Sequence, residues 1–392
     1  MTELPAIRFP EAQSHLEPDD TAMRRNTRVH NMSWVVVALM AGAFTTACRA
    51  AMASDDISAF PSTTAVAASS VGNLTLESID SLQLGVRDST QIGRVTHFLP
   101  TADRYYVIDG VSKHVLAFDH HGVFVSQIGR TGAGLDEYED PYRVAVRGDS
   151  VFVLDLARFS HVLAFDRAGS YIGGFDWKNE RMPTDLLLTP SGMIISTTVQ
   201  PEQGRVANVL HLVGAGDDGE ATSCQVDPRI VESERKNGML GALAFARLSA
   251  FGDRVYCAQA TTPVVQVVDT TGRRLAPLTI KPPFYIAPVD RPLTMNTKHM
   301  MAFNASFTTH VSFAPTRSGF VSTYSQYDTT SQRTSYLLFA CDSAQGSRQC
   351  GTARTERRVV HFATPDTLYL EEPRAGGSLV IGRYRLRMES HR

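Results

Sequence analysis

Lysine is scarce in this 392-residue chain: five of its 38 basic residues are Lys, and 40 acidic residues leave a formal charge of −2. Nucleic acid and an anionic membrane surface are therefore not expected as main partners, since both are bound through an excess of positive charge. No Cys-x-x-Cys occurs, which argues against a thiol oxidoreductase and a structural zinc site. His-Glu-x-x-His and Gly-x-Ser-x-Gly are absent as well, so the metalloprotease and serine-hydrolase signatures have no support. No apolar run reaches the roughly 20 residues that a membrane-crossing helix needs.

The most apolar stretch, WVVVALMAGAFTTA at 34–47, is short and follows the basic segment Met23-Arg24-Arg25-Asn26-Thr27-Arg28. Basic start, apolar core and small residues in that order read as an export signal. Residues 1–53 are thus expected to be leader and signal peptide, with Met23 as a possible functional start. FTTAC resembles the lipobox of bacterial lipoproteins, which makes Cys48 the expected lipid attachment site. Thr45 stands where that pattern usually has Leu, and Ala51-Met52-Ala53 is a rival cleavage site that releases a soluble secreted product. Residues 54–70, rich in Ser, Thr and Ala, suit a flexible tether. The expected location is periplasmic or on the outer membrane, with membrane contact through a lipid anchor alone.

Four further cysteines, Cys224, Cys257, Cys341 and Cys350, are an even number in an exported chain and read as disulfide candidates. Four cysteines allow three connectivities. Cys341 and Cys350 flank a polar, Gly-containing loop, which favours joining them and leaves Cys224 with Cys257; four buried thiols are the alternative.

HVLAFD is written at 114–119 and again at 161–166. Around it, YVID (106–109) is answered by FVLD (152–155), and Gly122, Phe124 and Val125 by Gly169, Tyr171 and Ile172. Short runs of β-formers bounded by Gly, Asp and Ser read as strands joined by tight turns, and a period in the 40s marks a repeat architecture. Weaker copies follow at 183–199, 253–280, 318–342 and 366–388, which makes six units. NLTLESIDSLQLG (73–85) is a strand without a unit of its own and suits the closing strand of a ring. The expectation is an all-β, six-bladed β-propeller over 71–392, with four-stranded antiparallel blades and closure by an N-terminal strand. A linker at about 281–317 is expected to be an insertion containing a short helix, with Met300, Met301 and Phe303 packed down.

IGRTGAGLDEYEDPYRVAV (128–146), followed by SVFVLDLARFSHVLAFDRAG, resembles the NHL-repeat type of six-bladed propeller through Gly132, Gly134, Glu137, Tyr138, Pro141, Val144–Val146, Asp155, Phe165, Asp166 and Gly169. His114 and His161 depart from that pattern, as does Leu135-Asp136. The likeness is strong over 90–175 and architectural beyond. Uncharacterised bacterial lipoproteins carry propellers of this kind.

Candidate chemistry is thin. GAGDDG (214–219) matches a dinucleotide fingerprint by letter, but EATSCQVDP follows and cannot open the required helix, so a polar loop is expected. His114 and His161 read as one structural role used twice, His120-His121 as a turn, and His299 and His310 as surface-loop residues. The acidic group Asp136, Glu137, Glu139 and Asp140 is the one place for Ca²⁺, without the usual calcium-loop spacing; no other cofactor is expected. Tyr142, Arg143, Arg181 and Asp185, just before the innermost strands, are the expected ligand contacts. The functional expectation is a non-catalytic binding or scaffold module at the cell envelope, its partner a protein, peptide or glycan. The alternative is an extracytoplasmic enzyme, lyase- or lactonase-like, acting on a small molecule, sugar or peptide, since enzymes occur among similar propellers.

Overall fold

The computed structural model describes residues 65–66, 71–85 and 92–389, the last with breaks at 159–160, 177–181, 191, 199–209, 214–223, 225, 244, 271, 281, 295, 343–348, 365 and 376–377. Cys48, Arg181 and the GAGDDG loop lie outside the described residues.

The strands follow one plan. Blade I contains β3 (Val95–Pro100), β4 (Tyr105–Asp109), β5 (His114–Phe118) and β6 (Phe124–Gln127), hydrogen-bonded in chain order. Blade II repeats it with β7 (Pro141–Arg147), β8 (Ser150–Asp155), β9 (His161–Asp166) and β10 (Tyr171–Asp176). Blade III shows β11 (Pro183–Thr189), β12 (Gly192–Thr197) and β13 (Leu210–Val213). Blade IV is β14 (Ala246–Phe251), β15 (Arg254–Gln259), β16 (Val264–Asp269) and β17 (Leu278–Ile280); blade V is β18 (Thr309–Pro315), β19 (Gly319–Asp328), β20 (Arg333–Asp342) and β21 (Gln349–Thr355). Blade VI has β22 (Arg358–Thr364), β23 (Thr367–Ala375) and β24 (Ser378–Met388), and its fourth strand is β2 (Val71–Leu84), antiparallel to β24 from Leu74↔Met388 to Leu84↔Leu379. The spare N-terminal strand thus closes the ring. On its way it runs parallel to β21, and the two-residue β1 (Ala65–Val66) runs parallel to β17.

Packing shows why the ring closes. Among the described residues the buried apolar side chains form six clusters, and each fills the space between two consecutive blades, blade VI against blade I included. An open array of six blades would have five such interfaces. Alternation along a strand sends successive side chains to opposite faces, so each blade feeds two clusters. HVLAFD illustrates this. In its first copy Val115 and Ala117 face blade II while Leu116 and Phe118 face blade VI. In its second copy Val162 and Ala164 face blade III while Leu163 and Phe165 face blade I.

Turns repeat with the strands. Asp119 Oδ1 accepts from the amides of His121 and Val123, and Asp166 Oδ1 from those of Ala168 and Ser170. Gly122 and Gly169 then take φ of 79° and 97°, a region that only glycine enters freely. A Cβ at Gly122 would strike the carbonyl oxygen of Gln83 in β2, and one at Gly169 the carbonyl oxygen of Gln127 in β6. β2 therefore relates to blade I as β6 relates to blade II.

Three features differ from expectation. Thr309–Pro315 is the innermost strand of blade V, so the insertion before it ends near 308 and not at 317. Its helix, α2 (Thr297–Ala305), buries Met300 and Phe303 but leaves Met301 exposed, because residues 300 and 303 share a face that 301 does not. A second helix, α1 (Pro228–Arg235), precedes blade IV, with Asp227 capping its start and Pro228 in its first turn. The two insertions zip together: Met239 N–H donates to Arg291 O at 2.7 Å, Leu293 N–H to Asn237 O at 2.7 Å, and Ser233 Oγ to Asp290 Oδ1 at 2.8 Å. Disulfides join Cys224 to Cys257, fixing the first insertion to β15, and Cys341 to Cys350 across the β20–β21 hairpin.

Candidate functional site

Every innermost strand starts at the same end of the ring, where each blade is entered and where its second strand finishes. The entry segments are held there by carboxylates. Asp109, closing β4, accepts from the amides of Gly93, Arg94 and Val111, and Asp155, closing β8, from those of Glu139, Asp140 and Ala157. Burial pushes the Asp109 carboxyl up, but these N–H bonds outweigh it and hold the group below its ordinary value.

Just inside that end, five of the six innermost strands carry a register shift at the same place: Val95/His97, Pro141/Arg143, Pro183/Asp185, His310/Ser312 and Val359/His361. Such a bulge re-aims the side chain that follows it. His97, Arg143, Asp185 and His361 follow bulges, and Arg247 holds the corresponding second position of β14 without one. All five are buried.

They link blade to blade. His97 Nε2 donates to the Val144 carbonyl at 3.2 Å, and Arg143 Nε donates to Asp185 Oδ1 at 3.1 Å. Asp185 Oδ2 accepts from Leu248 N–H at 2.8 Å. Arg247 reaches back, donating to the Thr184 carbonyl and, at 2.9 Å, to the Tyr142 hydroxyl. Arg358 closes the sequence by donating to the Val95 carbonyl.

The field at this place is positive. Arg143 lies 4.1 Å from the centre of the Tyr142 ring and Arg247 5.8 Å from it. Burial would raise the Tyr142 phenol, yet Arg247 and Arg143 bring it below its ordinary value. Burial, then Arg143, His361 and Arg247, hold His97 well below an ordinary imidazole, so it is neutral at pH 7.

Of the expected ligand contacts, Tyr142, Arg143 and Asp185 come together. They lie in innermost strands and not in the loops before them, because Pro141 and Pro183 are the first strand residues, the position where proline's missing N–H does no harm. Reasoning from sequence passed over His97, Arg247 and His361. Val95-Thr96-His97 stands 46 residues before Pro141-Tyr142-Arg143, so the repeat offset held the signal for His97.

Other candidates fall elsewhere. His310 is buried in β18 and not in a surface loop: it stacks on Tyr324 at 4.6 Å and bonds Ser322 Oγ at 2.7 Å, and burial drives its pKa down to about 4. His114 and His161 open equivalent strands, half-buried, while His120, His121 and His299 are exposed. In the acidic group, Arg130 pairs with Asp136 and Glu137, Lys113 pairs with Asp140, and Glu137 also accepts from Gly134 N–H at 2.7 Å. Those carboxylates face cations and backbone already present in the chain. Among the described residues no three His, Cys, Asp or Glu side chains are placed to share a metal ion.

The same end exposes apolar side chains: Val111 in the β4–β5 loop, Leu135 before β7, and Ile286, Val289, Leu293 and Met301 in the insertion before β18. Leu135 is 83% exposed and Val289 69%.

Comparison with known proteins agrees with this architecture. A family model described as a six-bladed β-propeller matches residues 55–179. Among solved structures, a protein of Bacteroides fragilis whose description assigns it to export superposes with a TM-score of 0.55 at 12% identity, covering 81% of this chain and 96% of that one. A member of the DUF4221 family from Bacteroides vulgatus gives 0.52 at 8% identity, covering 82% and 100%. Virginiamycin B lyase of Staphylococcus aureus gives 0.43 at 8% identity, covering 80% and 100%. No curated protein matches the sequence. The protein is a six-bladed β-propeller.

Proposed function

We propose that this propeller is an exported binding module of the bacterial cell envelope, tethered by a lipid on Cys48, that holds a protein, peptide or glycan partner on the end where its innermost strands begin. The observation that carries the reading is the exposure there of Leu135 and Val289, with Val111, Ile286, Leu293 and Met301 on the same end. Exposed apolar side chains gathered on one loop-bearing surface favour recognition. The basic segment, apolar core and cysteine of the N-terminus support export and anchoring.

Two measurements test it. Labelled palmitate should enter the wild-type protein in cells and not Cys48→Ser; an unlabelled protein that stays in the cytoplasm removes the envelope role. A photo-crosslinking residue at Leu135 or Val289 should capture one defined partner in intact cells, whereas the same residue at Ile172, on the outermost strand β10, should not. Identical products from all three positions would rule out a dedicated face.

A further inference from the structure

An apolar side chain on a loose loop can fold back onto the body of the protein. In the insertion before blade V that retreat is blocked, because the backbone is pinned beneath the side chains it exposes. Ile286 N–H donates to Thr308 Oγ1 and its carbonyl accepts from Thr308 N–H, both at 3.0 Å. Next, the Gly238–Pro292 bridge fixes Arg291 and Leu293, whose backbone bonds to Met239 and Asn237 lie on either side of it. Asn296 then caps α2 through the amide of His299. Ile286, Val289, Leu293 and Met301 stay exposed on this fixed frame.

Charge marks the same segment. Residues two apart in an extended pairing share a side, which sets Arg291 beside Leu293. Residues three apart on a helix are neighbours, which sets Lys298 beside Met301. Both cations are exposed, and among the described residues neither is paired with a carboxylate. Asp290 is the one acidic residue between 282 and 308, and its Oδ1 already accepts from Ser233 Oγ and the amides of Leu240 and Arg291. The rim of blades I and II differs: there Lys113 pairs with Asp140, and Arg130 with Asp136 and Glu137.

We infer that the insertion before blade V docks an acidic polypeptide segment, whose apolar side chains cover Ile286, Val289, Leu293 and Met301 and whose carboxylates meet Arg291 and Lys298. This gives the binding end a partner chemistry, and it rests on the reading of that end as a binding surface. Apolar contacts flanked by unpaired cations are complemented by apolar side chains flanked by carboxylates. A negatively charged bilayer would also attract the two cations. It would press equally on the exposed carboxylates of Asp290 and of Glu232 on α1, the helix of the zipped neighbouring insertion, whereas a polypeptide can place its charges at the cations alone. The pinned backbone has little freedom left to lose when it is covered, which favours association.

The test places a photo-crosslinking residue at Leu293 and at Met301 in intact cells and identifies the crosslinked peptide by mass spectrometry. The expected product is a peptide of net negative charge with apolar residues at the point of attachment. Its yield should fall about tenfold or more in the Arg291→Glu/Lys298→Glu protein, where attraction becomes repulsion, and be kept in Arg291→Lys/Lys298→Arg. Circular dichroism checks that these variants fold. A synthetic copy of the captured peptide should bind the purified mature protein, and bind about tenfold more weakly once its Asp and Glu are replaced by Asn and Gln. That comparison needs no variant of the propeller. A lipid adduct, a neutral or basic peptide, or binding indifferent to the charge changes overturns the inference. Capture from Leu135 with none from Leu293 or Met301 also overturns it and leaves the binding end standing; no product from any of the three removes both.

Discussion

Asp109 and Asp155 stand 46 residues apart and make the same three backbone bonds, to the two residues before an innermost strand and to the second residue after the Asp. Removing the carboxylate strands several amides at a buried place. Asp109→Ala and Asp155→Ala should each cost about 2–4 kcal/mol of unfolding free energy, and by similar amounts, in urea titrations. His310 gives a prediction in pH. Its folded-state pKa of about 4 lies below the ordinary 6.5, so the fold favours the neutral ring. That contribution is complete above pH 6.5 and is lost as pH falls toward 4, on the order of 3 kcal/mol. Burial and neighbouring cations lower His97 as well, so it titrates in the same direction. Stability should therefore fall across this window in the wild type and fall less steeply in His310→Gln.

Among the elements, blades I and II were legible because their sequences still match. HVLAFD, the strand-closing Asp and the Gly turn mark the same strands in both copies, and each recurs in the structure with the same contacts. The turn gives a matched pair of tests: Gly122→Ala and Gly169→Ala should each destabilise by about 1–3 kcal/mol, because both take positive φ and both meet a neighbouring carbonyl oxygen. A large cost at one and none at the other would mean that β2 and β6 are not equivalent. Strand β18 was hidden inside an apparent linker because THVSFAP has little of the Val-rich character of its counterparts, and helix α1 because its short run lacks a sustained apolar period. The inter-blade ring was half legible. Arg143 and Asp185 follow prolines that announce a strand entry, whereas Arg247 reaches Tyr142 and Thr184 through blade packing and His361 is aimed by a bulge, neither of which a local pattern encodes.

For the whole molecule, closure rests on one strand from the far end of the chain. β2 supplies Leu74, Leu82 and Leu84 to the two clusters on either side of blade VI, and its Asp80 pairs with Arg383. Deleting residues 71–84 should strip that blade of its outer strand, bare an edge and remove apolar packing from both clusters. The expected result is a broadened, less cooperative urea transition and self-association on gel filtration; a sharp wild-type transition would show that blade VI closes the ring with three strands alone.

Because β2 joins β24 across about three hundred residues of sequence, the first part of the propeller to be synthesised is among the last to find its place. Until β21 and then β24 are available the early strand has no sheet partner, and forming such distant pairs is slow because the loop must be closed before any contact rewards it. A chain threaded through a membrane from its N-terminus would thus stay open for the whole passage, and its native shape would be completed only on the far side.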